Sequence, residues 1–139
     1  MKNILQVFFL SLFLSTSSLH ASDLILIKKI SLKKDETKNI LVKYGSKKKL
    51  FTFRWTLFSN GGLVIHRSYD TIVSQNILYL RYQNQSFRVE LKPRGADLFN
   101  VPYLLLKFKK FDATKKKAVF DLFLSDDKNQ VFLEYLKNS

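Results

Sequence analysis

An all-β domain is the fold class that the sequence predicts, as an antiparallel β-sandwich or a small up-and-down barrel of about eight to nine strands. Three observations predict it. Apolar and polar residues alternate with a period of two, and the alternating segments are rich in Phe, Tyr, Val, Ile and Thr. Turn-forming residues also interrupt them roughly every ten residues, which is the spacing of short strands in sandwiches and barrels.

The clearest strand covers residues 50–58, where Phe51, Phe53, Trp55 and Leu57 fall on one face and Thr52, Arg54 and Thr56 on the other. Asn60-Gly61 follows, a dipeptide that accepts positive φ at both centres of a type I′ turn, so residues 63–67 form the returning strand. Upstream, residues 24–32 and 40–44 read as strands around the polar run 33–39. Downstream, residues 77–82 and 86–91 flank Gln83-Asn84-Gln85 as a second hairpin, and residues 103–111, 118–124 and 130–136 form a three-strand meander. The irregular stretch 92–102, with Pro93, Gly95 and Pro102, is expected to cap an open end of the fold. Residues 24–27 and 104–106 are apolar on both faces, as suits a strand that is covered twice or meets a partner.

The first residues carry a different signal. Lys2, the apolar run 4–14 broken only by Gln6 and Ser11, and the small-residue exit ending at Ala21 match a secretory signal peptide. The apolar run is shorter than the roughly 20 residues that a membrane-spanning helix needs. Residues 1–21 are therefore expected to be a leader and residues 22–139 a single exported all-β domain, periplasmic and without a transmembrane segment. The chain has no cysteine, so stability must come from apolar packing rather than disulfides, and a lipid-bearing cysteine is absent.

The chain has 24 basic and 11 acidic residues and a net charge of +13, of which Lys2 belongs to the leader. Export argues against nucleic acid as the partner and leaves anionic envelope components, such as lipid head groups, lipopolysaccharide phosphates and cell-wall carboxylates, or an acidic protein. Nineteen of the basic residues are Lys and five are Arg. Lysine is a hydrated point charge, whereas bidentate recognition of phosphate or carboxylate favours arginine.

Two basic features stand out. If Asn60-Gly61 is a two-residue turn, simple pairing places His66 across from Trp55, and Arg54 across from Arg67 on the other face. Like charges directly across a strand pair cost stability, so this pair invites a shared anion, or a carboxylate such as Asp70 or Glu90. Lys107, Lys109 and Lys110, with Lys115, Lys116 and Lys117, form a second feature, a basic patch if folding gathers them; Lys47-Lys48-Lys49 is a further cluster. Lysines at strand ends also blunt edge-to-edge aggregation.

Catalytic material is scarce. His66 is the one histidine beyond the leader, and although Asp70 lies near it in sequence, no nucleophile elbow accompanies them. Asp126-Asp127 lie in a turn and do not read as a carboxylate pair facing a cleft. No metal or cofactor is expected.

The stretch 53–57, Phe-Arg-Trp-Thr-Leu, followed by Asn60-Gly61-Gly62-Leu63-Val64, resembles a segment of small exported proteins of AT-rich Gram-negative bacteria. The resemblance implies a periplasmic address and supplies no activity, so no functional residue is carried over. The expected role is non-catalytic, as a binding or envelope-associated protein with a basic surface and peripheral membrane contact. The alternative is a carrier of a lipid-like ligand inside the barrel or between the sheets, which needs a continuous apolar space of about 300 Å³ or more.

Overall fold

Residues 24–91 and 101–139 are described by the structure, a computed structural model. The expected leader 1–21 and most of the 92–102 cap lie outside them. The strands are β1 (Leu24–Lys33), β2 (Lys38–Tyr44), β3 (Lys47–Ser59), β4 (Gly62–Tyr69), β5 (Ile72–Tyr79), β6 (Ser86–Glu90), β7 (Tyr103–Asp112), β8 (Lys117–Ser125) and β9 (Val131–Tyr135). They form two antiparallel sheets, four strands in the order β1-β8-β7-β6 and five in the order β5-β4-β3-β2-β9. The fold is an all-β sandwich, and no α-helix occurs among the described residues.

Alternation drives this arrangement. Phe51, Phe53 and Trp55 of β3 and Ile65 of β4 face Leu104, Leu106 and Phe108 of β7 and Phe120 and Leu122 of β8 in one buried core. Phe53 meets Phe120 edge-on, with ring centroids 5.5 Å apart. Such edge-to-face pairs add about 0.5–1.5 kcal/mol beyond their burial.

The Asn60-Gly61 turn forms as expected, with φ of 52° and 77°. Leu57 pairs with Val64, but the next pairs are Trp55 with Ile65, Arg54 with His66 and Phe53 with Arg67. Thr56 is the extra residue of a bulge. It reverses the parity of the strand end, so Leu57 points outward and is 52% exposed, while Phe58 turns in and packs on the core. This corrects the expected places of Leu57, His66 and Arg67 in the register. β7 does the same after Phe108, where Lys109 is the extra residue and Phe111 returns to the inner side. The two bulges face one another across the sandwich: Phe58 stacks on Phe111 at 4.2 Å, and Trp55 meets Phe111 edge-on at 5.6 Å.

Two further expectations are corrected. Residues 77–82 and 86–91 are not a hairpin. β5 begins at Ile72, pairs with β4 through the turn Asp70-Thr71, and is followed by a 3₁₀ turn at Gln83–Gln85 that carries the chain to β6 in the other sheet. Likewise β7 and β8 form a hairpin, but β9 leaves them to pair with β2. A short apolar strand announces that it pairs, not with which sheet.

A lysine guards the β1 edge. On β1 a bulge at Leu26/Lys28 precedes Lys28, whose ammonium sits 4.0 Å from the centre of the Tyr135 ring on β9. An inward-aimed lysine on an edge strand opposes pairing with another chain.

Candidate functional site

The bulge in β3 decides where the basic residues end up. Arg54 stands on the outer face of the five-stranded sheet, across from His66, which pairs in turn with Gln75 of β5. The neighbouring row joins Thr52 and Ser68 by a hydroxyl–hydroxyl hydrogen bond of 2.8 Å. Thr52, Arg54, His66 and Ser68, with Thr37, Phe53, Arg67 and Val73, line an open depression of about 280 Å³. No carboxylate lies within 4.0 Å of the Arg54 guanidinium among the described residues.

Arg67 points the other way. Its guanidinium lies 4.4 Å from the centre of the Phe87 ring in the opposite sheet. Its Nε donates to Asn76 Oδ1 at 2.7 Å and its Nη1 to the Arg88 carbonyl at 3.3 Å. Burial lowers its pKa from the ordinary arginine value. Arg67 thus ties β4, β5 and β6 together from inside. It borders the same depression as Arg54, but its guanidinium lies on the inner face of the sheet and that of Arg54 on the outer face, so the two do not converge on one anion. Neither of the proposed acids serves it: Asp70 accepts from Lys49 Nζ at 2.7 Å, and Glu90 lies 3.7 Å from Arg88.

The six lysines of the second feature all lie on one hairpin. Lys107, Lys109 and Lys110 belong to β7, Lys115 and Lys116 to its turn, and Lys117 to the start of β8, where it pairs with Asp112 on one side and Lys33 of β1 on the other. Asp112 fixes the turn by accepting the backbone N–H groups of Thr114 and Lys115 at 3.1 and 3.0 Å. These bonds, Lys115 first, hold its carboxyl below the usual carboxylate range.

Asp121 of β8 lies between Lys29 and Lys107 in register, on the outer face of the four-stranded sheet, and is 6% exposed. Lys109 Nζ approaches it to 3.7 Å. Asp121 thus has lysines as register partners on both neighbouring strands and a third within 4.0 Å. The next row on this face joins Leu26, Phe123 and Leu105, so apolar and basic rows run side by side.

Chemistry beyond binding finds little material. Among the described residues, no group of three or more His, Cys, Asp and Glu side chains could hold a metal ion. His66 has no side-chain hydrogen bond among them, and Asp70 is engaged by Lys49 rather than His66. Tyr69 is held as a phenol: burial, with Asp70 nearby, pushes its pKa up to about 12, and its hydroxyl donates to the Leu91 carbonyl at 3.2 Å.

A larger depression was not legible in the sequence. It lies at the sandwich end where the Asn60 turn meets the β5–β6 crossing, with Tyr79, Arg81, Tyr82, Gln83 and Asn84. The run from Tyr79 to Asn84 carried a signal, two tyrosines and an arginine followed by amides. It was hidden because those residues read as the ordinary end and turn of a hairpin.

No protein-family model matches the chain, and no curated protein or solved structure matches it either.

Proposed function

We propose that the protein is a non-catalytic binding module of the periplasm that associates with an anionic component of the cell envelope through its lysine-rich surface. The observation that carries this reading is the β7–β8 hairpin, where six lysines and the adjacent Lys29 and Lys33 outnumber the nearby carboxylates Asp112, Asp121 and Glu36. Excess positive charge that no acid neutralises attracts polyanions, at about 1 kcal/mol per lysine close to an anionic lipid surface. The row Leu26, Phe123 and Leu105 beside it offers apolar side chains to the same surface, which suits peripheral contact. No helix among the described residues is long and apolar enough to cross a membrane.

The carrier reading has less behind it. Aromatic side chains from both sheets fill the space between them. A small space lined by Val42, Tyr44, Lys47, Lys49, Tyr69 and Leu91 amounts to about 10 Å³, near the volume that one water occupies, and a mostly apolar depression beside Ile25, Ile27, Leu124, Val131 and Phe132 to about 210 Å³, short of the roughly 300 Å³ that a carrier needs. Arg54 supplies a second basic point on the opposite outer face, now beside His66 rather than Arg67.

Charge reversal tests the assignment. Exchanging Lys115, Lys116 and Lys117 together for Glu is expected to weaken binding to anionic vesicles by about a hundredfold, from roughly 1 kcal/mol for each lysine lost. Arg54→Glu should weaken it several-fold less. Cosedimentation with vesicles containing phosphatidylglycerol measures both. A larger loss from Arg54→Glu would move the contact to the five-stranded sheet, and no loss from either would defeat the proposal.

A further inference from the structure

The depression at the Asn60 end has a lining unlike the rest of the surface. Tyr79 and Tyr82 stand nearly perpendicular, 84° apart with centroids separated by 6.1 Å, and Tyr82 is 72% exposed. Three primary amides, Asn60, Gln83 and Asn84, and the guanidinium of Arg81 complete an open space of about 660 Å³. That is within the range of small-molecule sites, about 300–1,000 Å³.

Backbone geometry holds these groups in place. Asn60 sits at φ 52° in its two-residue turn, and Arg81 at φ 64°, a left-handed conformation that costs an ordinary residue free energy. Gly62 leaves room for the Tyr79 ring: a Cβ there would lie 2.8 Å from Tyr79 Cε1. Among the described residues, the side chains of Asn60, Arg81, Gln83 and Asn84 make no hydrogen bond and Arg81 has no acid within 4.0 Å, so their polar groups are free for a ligand.

The chemistry of this lining selects a ligand class. Aromatic faces accept the C–H patches of a sugar ring, amides match vicinal hydroxyls as donor and acceptor together, and a guanidinium grips a carboxylate with paired hydrogen bonds. The lining has no aliphatic side chain to favour a lipid tail and no carboxylate to favour a cation. It also lacks Ser, His, Asp and Glu, so it is suited to holding a ligand and not to cleaving it. We infer that this depression is a binding site for an oligosaccharide bearing a carboxylate. The inference goes beyond the proposed lysine contact and does not depend on it.

Calorimetric titration of the purified domain with tetragalacturonate, and with its fully methyl-esterified form, tests the inference. The acid form is expected to bind and the ester to bind more weakly. Tyr82→Ala should weaken the acid form about tenfold through loss of the stacking face. Arg81→Gln should abolish the preference for the acid over the ester, while the Lys115, Lys116 and Lys117 reversal leaves the affinity of both within about twofold. A soluble peptidoglycan fragment and a delipidated lipopolysaccharide core then separate two sources of acidic sugar, and saturable, Tyr82-dependent binding of either supports the site. Absence of tetragalacturonate binding would overturn the inference, as would binding insensitive to Tyr82→Ala but lost on lysine reversal. Vesicle binding is read separately, so failure here leaves the lysine surface untouched.

Discussion

Replacing Trp55 by Ala is expected to destabilise the domain by about 3–5 kcal/mol, the cost of removing a large buried aromatic ring. Trp55 is 4% exposed, meets Phe111 edge-on at 5.6 Å, and donates its indole N–H to the Leu32 carbonyl at 2.8 Å. The substitution opens a cavity opposite the β7 bulge and also strands a buried carbonyl. Trp55→Phe separates the two effects, since it keeps a ring and loses the N–H, for an expected cost of about 1–3 kcal/mol. Urea unfolding followed by circular dichroism measures both variants. A Trp55→Ala midpoint equal to that of the wild type would remove Trp55 from the core.

Phe58→Asp should cost about 3–5 kcal/mol, whereas Leu57→Asp, one residue away, should stay within about 1 kcal/mol of the wild type. The contrast depends on the Thr56 bulge alone. With it, Phe58 stacks on Phe111 at 4.2 Å and meets Phe108 edge-on at 6.1 Å, and Leu57 faces solvent. Without it, simple alternation from Trp55 would bury Leu57 and expose Phe58, and the two substitutions would exchange effects. The same unfolding measurement distinguishes the registers, and a larger loss from Leu57→Asp would refute the bulge.

This pair of residues also marks where the sequence was legible and where it was not. Alternation identified β3 and the Asn60-Gly61 turn, because burial on one face imposes a period of two and a type I′ turn demands positive φ. It did not reveal the bulge, since the reason for turning Phe58 inward is Phe111, which lies on a strand of the other sheet. In retrospect, Trp55-Thr56-Leu57-Phe58 and Phe108-Lys109-Lys110-Phe111 each place aromatics three apart, a spacing that a regular strand cannot bury twice.

The first half of β5 was missed for two physical reasons. Its inward positions Ser74 and Asn76 are polar because they lie beside Arg67, and its turn Asp70-Thr71 reaches φ of 50° and 66° without a glycine to signal it. The candidate site suffered directly from the register: one inserted residue moved Arg67 from the solvent face to the space between the sheets. The lysine cluster was easier to read, because residues close in sequence on one hairpin stay close in space.

The central claim is that attraction to the envelope is electrostatic, and the dependence of vesicle binding on salt tests it most directly. Exposed charges are screened over about 8 Å at physiological ionic strength and about 3 Å at 1 M salt. Binding of the wild-type domain to phosphatidylglycerol vesicles should therefore fall steeply as sodium chloride rises through this range, with little binding to neutral vesicles at any salt. Affinity that is unchanged by salt, or equal for neutral and anionic vesicles, would contradict the claim and point to apolar binding instead.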